Sequence, residues 1–324
     1  MATLRIMTFN VENMLVRFRF REWEKKSLAT LLDVDSDVDR AMLIRTHWNV
    51  LNNENRVLTA LTMREGDPDV MCMQEVENMR ALRAFDERYL RRISRRDYRH
   101  KILMEGNDPR GIDVAVMSRF RIVNAVTHQY REGQIDYLDG PRTERIFRRD
   151  CLEVAVKKEN KILPIFVCHF KSMSGGRRET APIRRAEALE VRNIIMERFD
   201  DPATSDWVIV GDLNDYTETD GQPDTAHALG PLFEDGFSVD LVRRIDDPLD
   251  RWTHYYPADD TYHQLDYVLV SPALAERNQG AVPTIIRKGQ PYRAERYQGD
   301  RLQRLGYDQP KASDHCPVLV HISY

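Results

Sequence analysis

The run Trp207–Tyr216, WVIVGDLNDY, joins an apolar segment to a cluster of polar side chains. Val208, Ile209 and Val210 are β-branched and apolar, which suits a strand buried on both faces. The run stops at Gly211, and Asp212, Asn214 and Asp215 come at once after it. A strand ending in Gly-Asp-x-Asn holds a carboxylate and an amide at the rim of a sheet. An ionised carboxylate there is hydrated, paired or metal-bound, because burying it alone is costly. The plainer alternative is a strand leading into a polar turn, since Gly, Asp and Asn are ordinary turn formers. The other strand ends decide between the two.

Leu4–Phe9 (LRIMTF) predicts a first strand, and it exits into Asn10-Val11-Glu12-Asn13. Asp67-Pro68-Asp69 stops a helix, and Val70–Met73 then predicts a short buried strand that exits into Gln74-Glu75. RGIDVAVMS places Asp113 near the start of another strand. Cys151–Val156 and Ile162–Cys168 predict a hairpin around Lys158-Glu159-Asn160, and its second strand runs into His169. Asp266 opens the strand in QLDYVLV, and Asp314 and His315 precede the closing strand Val318–Ile322. Carboxylate, amide and imidazole groups therefore collect at the edges of apolar strands, which points to one shared rim. A carboxylate-rich set suits a hard divalent cation such as magnesium or manganese, whereas zinc wants several histidines or cysteines close together. Two histidines far apart in sequence argue instead for proton transfer and charge stabilisation.

The remaining stretches are less pointed. Residues 15–64 read as a charged, mostly helical excursion. Within it, Asp33–Asp39 (DVDSDVD) has the alternating aspartates of a calcium loop but Val38 at the sixth position, where such loops need glycine, so a solvated turn or helix start is the better reading. Met79–Arg96 reads as a basic helix; its arginines offer either a phosphate-binding face or a solvated one, and the solvated face is the better reading because Asp86 and Glu87 interrupt them. Arg131–Arg149 reads as an arginine-rich loop, Arg177–Phe199 as a long amphipathic helix, and Arg287–Tyr307 as a basic aromatic loop.

The chain has 324 residues, a net charge of −4 and 42% apolar residues, ample for a sizeable core. Charged residues make up 31% with nearly balanced signs, so overall charge declares no nucleic-acid partner. Cys72, Cys151, Cys168 and Cys316 match no zinc spacing and read as buried free thiols. No charged-then-apolar leader precedes Leu4 and no apolar run is long enough for a membrane, so the expectation is a cytoplasmic protein, with a cleaved exported form left open. Residues from both ends of the chain enter the constellation, so a single domain over 1–324, acting as a monomer, is expected.

The ordered motifs TFNVEN, QEVEN, RGIDVAVMSR, HFKS, GDLND, QLDYVLVS and SDHCPV run from residue 8 to residue 318. Together they resemble the endonuclease/exonuclease/phosphatase (deoxyribonuclease-I-like) superfamily, and most of all its bacterial nuclease-like hydrolases. The resemblance implies an α/β (α+β) fold, a four-layer sandwich with two mixed β-sheets face to face and helices outside. It implies that Glu75 is the main ligand of Mg2+ (Mn2+ or Ca2+ in its place), with Asn10 beside it and Asp314 reaching the metal or its waters. Glu12 stands where relatives often have Asp and joins the metal set. Asp212 and Asn214 would orient or deprotonate the attacking water, and His315 would donate to a non-bridging oxygen with Asp266 fixing its tautomer. His169 would hold the opposite side of the phosphate and protonate the leaving oxygen, with Arg110, Lys171 and Ser172 as phosphate contacts. The expected substrate is a nucleic acid, DNA before RNA, cleaved by in-line attack of water; a small-molecule or lipid phosphodiesterase or phosphatase is the alternative. A non-catalytic nucleic-acid-binding module is a third reading, and the intact set of carboxylates and histidines weighs against it.

Overall fold

A computed structural model describes residues 1–14, 53–94 and 97–324, together with the backbone of two short strands, Arg17–Arg19 and Lys25–Ser27. Among the described residues twelve strands build the two main sheets. In chain order they are β1 (Thr3–Met14), β2 (Val70–Val76), β3 (His100–Leu103), β4 (Asp113–Ser118), β5 (Arg121–Thr127), β6 (Cys151–Lys158), β7 (Lys161–His169), β8 (Val208–Asp212), β9 (Val239–Asp240), β10 (Asp266–Val270), β11 (Thr284–Ile285) and β12 (Val318–Ser323). The first sheet has the order β11-β12-β1-β2-β4-β3 and the second β9-β10-β8-β7-β6-β5. Each is mixed: β1 with β2 and β7 with β8 are parallel pairs, and their other neighbours are antiparallel.

Alternation along the strands explains the layers. Successive side chains of a strand point to opposite faces. Leu4 and Ile6, Val70 and Cys72, Ile165 and Val167, Val208 and Val210, and Val268 and Val270 share one buried cluster between the sheets. The intervening residues, Met7 and Phe9 with Met71 and Met73, pack outward with helix Asn53–Gly66 and the helical segment that begins at Met79. On the far side, Phe166, Ile209 and Leu269 pack with Val191, Ile194 and Ile195 of helix Arg177–Arg198. The result is the expected sandwich of helix, sheet, sheet and helix layers.

Some local expectations change. Arg131–Arg149 is largely a hairpin, Glu132–Tyr137 paired with Gly140–Arg145, and not a loop. Within the two strands the one buried side chain, Ile135, sits among polar residues, so the alternation was hidden. At the start of the 15–64 excursion Arg17–Arg19 and Lys25–Ser27 pair as antiparallel strands, not helix, and among its described residues the helix is Asn53–Gly66. Asp33–Asp39 lies outside the described residues. The basic helix runs Met79–Phe85, passes through a π-helical turn at Asp86–Leu90 and ends as Arg91–Ser94. Arg80, Arg83, Arg88, Arg91 and Arg92 are exposed or half-buried, as a solvated face requires. All four cysteines are free and buried, with Cys151 and Cys168 opposed across the β6–β7 hairpin, sulfurs 3.7 Å apart. Among the described residues no helix is long and apolar enough to cross a membrane.

Candidate active site

The inner face of the sandwich is apolar along most of its length and then changes character at one edge. Two residues beyond Ile6 and four beyond it, β1 presents Thr8 and Asn10. Two beyond Cys72, β2 presents Gln74; two beyond Val167, β7 presents His169; and two beyond Val210, β8 presents Asp212. Asp266 precedes Val268 by the same step on antiparallel β10. The period-two rule that buries the core thus delivers these polar groups to one rim. Register aligns them: His169 is opposite Asp212 and Asp212 is opposite Asp266. All three are buried.

Gly211 makes this close approach feasible. Its φ is +145°, and a Cβ there would sit 1.9 Å from the carbonyl oxygen of Cys168. Glu12, Glu75 and Asn214 hold φ of +48°, +68° and +51°, an uncommon region for non-glycine residues. Strained backbone concentrated at strand exits is characteristic of sites whose geometry the surrounding fold imposes.

Asp212 is the centre of the polar network. Its Oδ2 accepts from Asn10 Nδ2 at 3.0 Å, and its Oδ1 accepts from the Asn214 N–H at 2.9 Å. Two imidazoles flank the same Oδ2, His169 Nε2 at 3.6 Å and His315 Nε2 at 3.7 Å. Burial and the nearby Asp266 charge push the Asp212 carboxyl up to about 7, against the opposing pull of His315. Asn214 also donates to the Phe170 carbonyl at 3.0 Å, which fixes the turn after β8.

The two histidines differ in charge. His315 Nδ1 lies 2.8 Å from Asp266 Oδ2. Burial disfavours its charged form, but Asp266, Asp212 and Asp314 outweigh burial and hold His315 well above the usual imidazole range, as an imidazolium. Burial, with the charges of Arg149, His315 and Arg110 around it, keeps His169 neutral. Its Nδ1 has no hydrogen-bond partner. A neutral imidazole can donate an N–H to a phosphoryl oxygen, whereas protonating the leaving oxygen, the role expected of His169, requires the ring to take up a proton first.

Several supporting residues were not singled out from sequence. Thr253 donates its hydroxyl to Asp266 Oδ2 at 2.7 Å and accepts the N–H groups of Leu265 and Asp266. Ser313 ties the His315 segment to β1, with its hydroxyl on the Asn10 carbonyl at 2.7 Å. Buried Arg56 donates to the carbonyls of Val11 and Glu12 at 2.7 and 2.8 Å and so clamps the exit of β1. His254 lies with its ring centre 4.5 Å from that of His315. WTHYY upstream of QLDY carried the signal for Thr253 and His254, but only the β-bridge between His254 and His315 shows its use.

The oxygens at the rim suit a hard cation. The Glu75 carboxylate accepts one N–H, from Asn13 at 2.8 Å, and among the described residues no basic side chain neutralises it directly. Burial works against the Asp314 carboxylate, yet Lys311, His315 and His254 hold it below the ordinary carboxylate range, so it stays ionised. Glu12 already has a partner on each oxygen: Oε1 pairs with Lys311 Nζ at 3.0 Å and Oε2 accepts the Asp314 N–H at 3.0 Å. His254, Asp314 and His315 also group their ligand atoms within 4.8 Å. A protonated His315 is a poor ligand, so Glu75 and Asp314 are the better donors.

The expected phosphate contacts divide. Arg110 grips Asp108 with its Nε and Nη2 at 3.1 and 2.9 Å, and its charge reaches both Glu75 and His169, which places it beside the rim. Arg149, not singled out from sequence, bridges Asp108 Oδ2 and the Phe170 carbonyl, both at 2.8 Å. Lys171 curls back on Ser172, with Nζ 3.1 Å from its carbonyl and 3.4 Å from its hydroxyl, so these two residues bond each other.

A sequence model of the Endonuclease/Exonuclease/phosphatase family matches residues 43–323. No curated protein matches the chain. Among solved structures it is similar to an endonuclease/exonuclease/phosphatase from Bacteroides vulgatus, with a TM-score of 0.57, 16% identity, and 100% of this chain and 99% of that one covered. It is similar to sphingomyelinase C from Streptomyces griseocarneus, with a TM-score of 0.58, 16% identity and all of both chains covered. It is also similar to truncated Caenorhabditis elegans TDP2, with a TM-score of 0.54, 14% identity, and 99% and 98% covered. These likenesses concern the fold, and the family match covers most of the sequence: the chain belongs to the endonuclease/exonuclease/phosphatase family.

Proposed function

We propose that this protein is a divalent-cation-dependent phosphodiester hydrolase that cleaves nucleic acid by in-line attack of water. The observation that carries the reading is Asp212, held by Asn10 and Asn214 between a neutral and a cationic imidazole. Asp212 and Asn214 orient the attacking water. The His315 imidazolium, steadied by Asp266, meets negative charge developing on a non-bridging oxygen. His169 and Arg110 bind the other side of the phosphoryl group. Glu75 and Asp314, with Asn10 beside them, would hold Mg2+, which when bound polarises the phosphoryl oxygens and supports the leaving group.

Nucleic acid is favoured by the 287–307 segment, where Arg301 lies over the rings of Tyr292 and Tyr297 and Tyr292 and Tyr307 are exposed. Exposed rings stack bases and arginines track phosphates. The fold likeness to a sphingomyelinase C keeps a lipid phosphodiester as the second reading. The test is hydrolysis of plasmid DNA, single-stranded DNA, RNA, sphingomyelin and a chromogenic phosphodiester, with magnesium or chelator, wild type against His315→Ala. Metal-dependent nucleic-acid cleavage lost in the variant is expected. Turnover of sphingomyelin with intact nucleic acids would overturn the substrate.

A further inference from the structure

The helical segment Met79–Ser94 carries Arg80, Arg83, Arg88, Arg91 and Arg92, all exposed. Exposure alone fits a solvated face; their alignment goes further. In an uninterrupted α-helix Arg88 and Arg92 would lie about 80° and 120° round the axis from Arg80. The π-helical turn Asp86–Leu90, closed by the Arg91 N–H on the Asp86 carbonyl, holds one residue more than an α-helical turn. Past it, each residue takes the place its predecessor would have held. Arg92 therefore stands near the i+11 position relative to Arg80, and Arg88, inside the turn, is carried toward i+7. With Arg83 at i+3, these are positions of a single stripe. Ala81, Leu82, Phe85 and Leu90 are buried on the opposite side.

The stripe is uncompensated. Among the described residues Arg80, Arg83, Arg88 and Arg92 enter no ion pair and no side-chain hydrogen bond. Arg91, beside them, does pair, with Asp86 at 3.5 Å and Asp97 at 3.2 Å. Of the segment's two acids Asp86 is buried and also paired with Lys101 at 2.8 Å, which leaves Glu87 as the one exposed negative charge. Like charges at these spacings repel one another, so the stripe favours a polyanion that neutralises them together. From Arg80 to Arg92 the helix rises about 18 Å, which matches about five nucleotide steps of a duplex strand. The stripe also starts at the candidate site: the segment's N-cap, Asn78, follows Glu75 by three residues. A membrane surface fits less well. Interfacial helices turn an apolar face to the lipid, whereas the apolar face of this segment is packed on the first sheet and none of its large apolar side chains is exposed.

We infer that Arg80, Arg83, Arg88 and Arg92 form a docking surface for the phosphate backbone of a nucleic acid, carrying the bound strand away from the reacting centre. The inference rests on the proposed nucleic-acid substrate and adds the surface that holds it.

The experiment combines Arg80→Gln, Arg83→Gln, Arg88→Gln and Arg92→Gln in one variant. A control variant combines Arg121→Gln, Lys157→Gln, Lys161→Gln and Arg277→Gln, which removes the same charge from exposed side chains at the end of the strands opposite the rim. Binding of a labelled 20-base-pair DNA duplex and of a single-stranded RNA of equal length is followed by fluorescence anisotropy in chelator at several salt concentrations. Binding to phosphatidylserine–phosphatidylcholine vesicles and hydrolysis of a chromogenic phosphodiester with magnesium are measured alongside. The stripe variant should bind at least one of the two nucleic acids tenfold or more weakly than wild type. Where that is the duplex, the slope of log affinity against log salt should become shallower by about 3 to 4. The control should stay within threefold of wild type, and the chromogenic ester should be turned over equally by all three proteins. Undiminished nucleic-acid binding in the stripe variant, or an equal loss in the control, would overturn the surface and leave the hydrolase reading intact. Nucleic-acid binding lost only in the stripe variant, with no ester hydrolysed by any protein, would keep the surface and defeat the hydrolase reading. A wild type that binds neither nucleic acid overturns the surface, and vesicle binding lost in the stripe variant would then assign it to an anionic membrane instead.

Discussion

Asp266 holds Nδ1 of His315 at 2.8 Å, and its other partner on the same oxygen is the Thr253 hydroxyl at 2.7 Å. The pair fixes both the ring orientation and the charge of His315. Asp266→Asn should therefore remove the imidazolium while preserving packing. The expected loss in kcat is about 10³- to 10⁴-fold, by analogy with other imidazoles deprived of their orienting carboxylate. Turnover of a chromogenic phosphodiester, with circular dichroism as a fold control, checks it.

Asp212→Asn removes the carboxylate at the centre of the network but keeps its shape. Activity should fall by about 10²-fold or more, the scale of a lost general base. Thermal stability should stay level or rise, because a carboxylate whose charged form burial disfavours has been replaced. A purified variant with near-normal turnover would remove Asp212 from the mechanism.

Cation binding is predicted to stabilise the fold. Anything that binds the native state alone adds RT ln(1 + [L]/Kd). Millimolar Mg2+ should raise Tm of the chelator-treated wild type and leave Glu75→Gln unmoved. An equal shift in both proteins would place the ion elsewhere.

Arg56→Leu should strip the β1 exit of its clamp and leave the Val11 and Glu12 carbonyls without these donors. Each unsatisfied buried group costs about 1–3 kcal/mol. Urea denaturation should show a loss on that scale, accompanied by weaker Mg2+ binding. Unchanged stability would mean that water replaces the guanidinium.

Asp240 supplies a pH dependence away from the site. It caps the turn that starts at Leu241 and accepts from Val242 N–H at 2.9 Å and Gln264 Nε2 at 2.8 Å. Burial raises its carboxyl from 3.8 to about 6 despite those bonds. An acid whose folded value is raised binds its proton more tightly when native. Its stabilising contribution is complete below about pH 3.8 and disappears as pH rises through about 6. Asp240→Asn should flatten the stability profile between those values and leave the variant relatively more stable at neutral pH. Denaturation midpoints at half-unit pH steps measure this, and a wild-type slope retained in the variant would refute it.

The amino-acid order alone determined the strand cores and the polar groups at their ends. β-branched runs such as Val208–Val210 and Ile165–Val167 announce themselves because burial on both faces leaves no polar interruption. The site groups were legible for the same reason: Asn10, Glu75, His169, Asp212 and Asp266 stand where an apolar run begins or breaks off. Tertiary structure decided the features that no spacing along the chain encodes. It put His169, Asp212 and Asp266 in register on neighbouring strands. It turned Glu12 toward Lys311, near the other end of the chain, an ion pair that no spacing announces. It also surrounded His169 with cations and His315 with carboxylates, so that two identical side chains differ in charge. The physical reason is that a side chain's protonation and partners depend on the field and solvent access of its folded surroundings. Those surroundings exist only once strands far apart in the chain have paired.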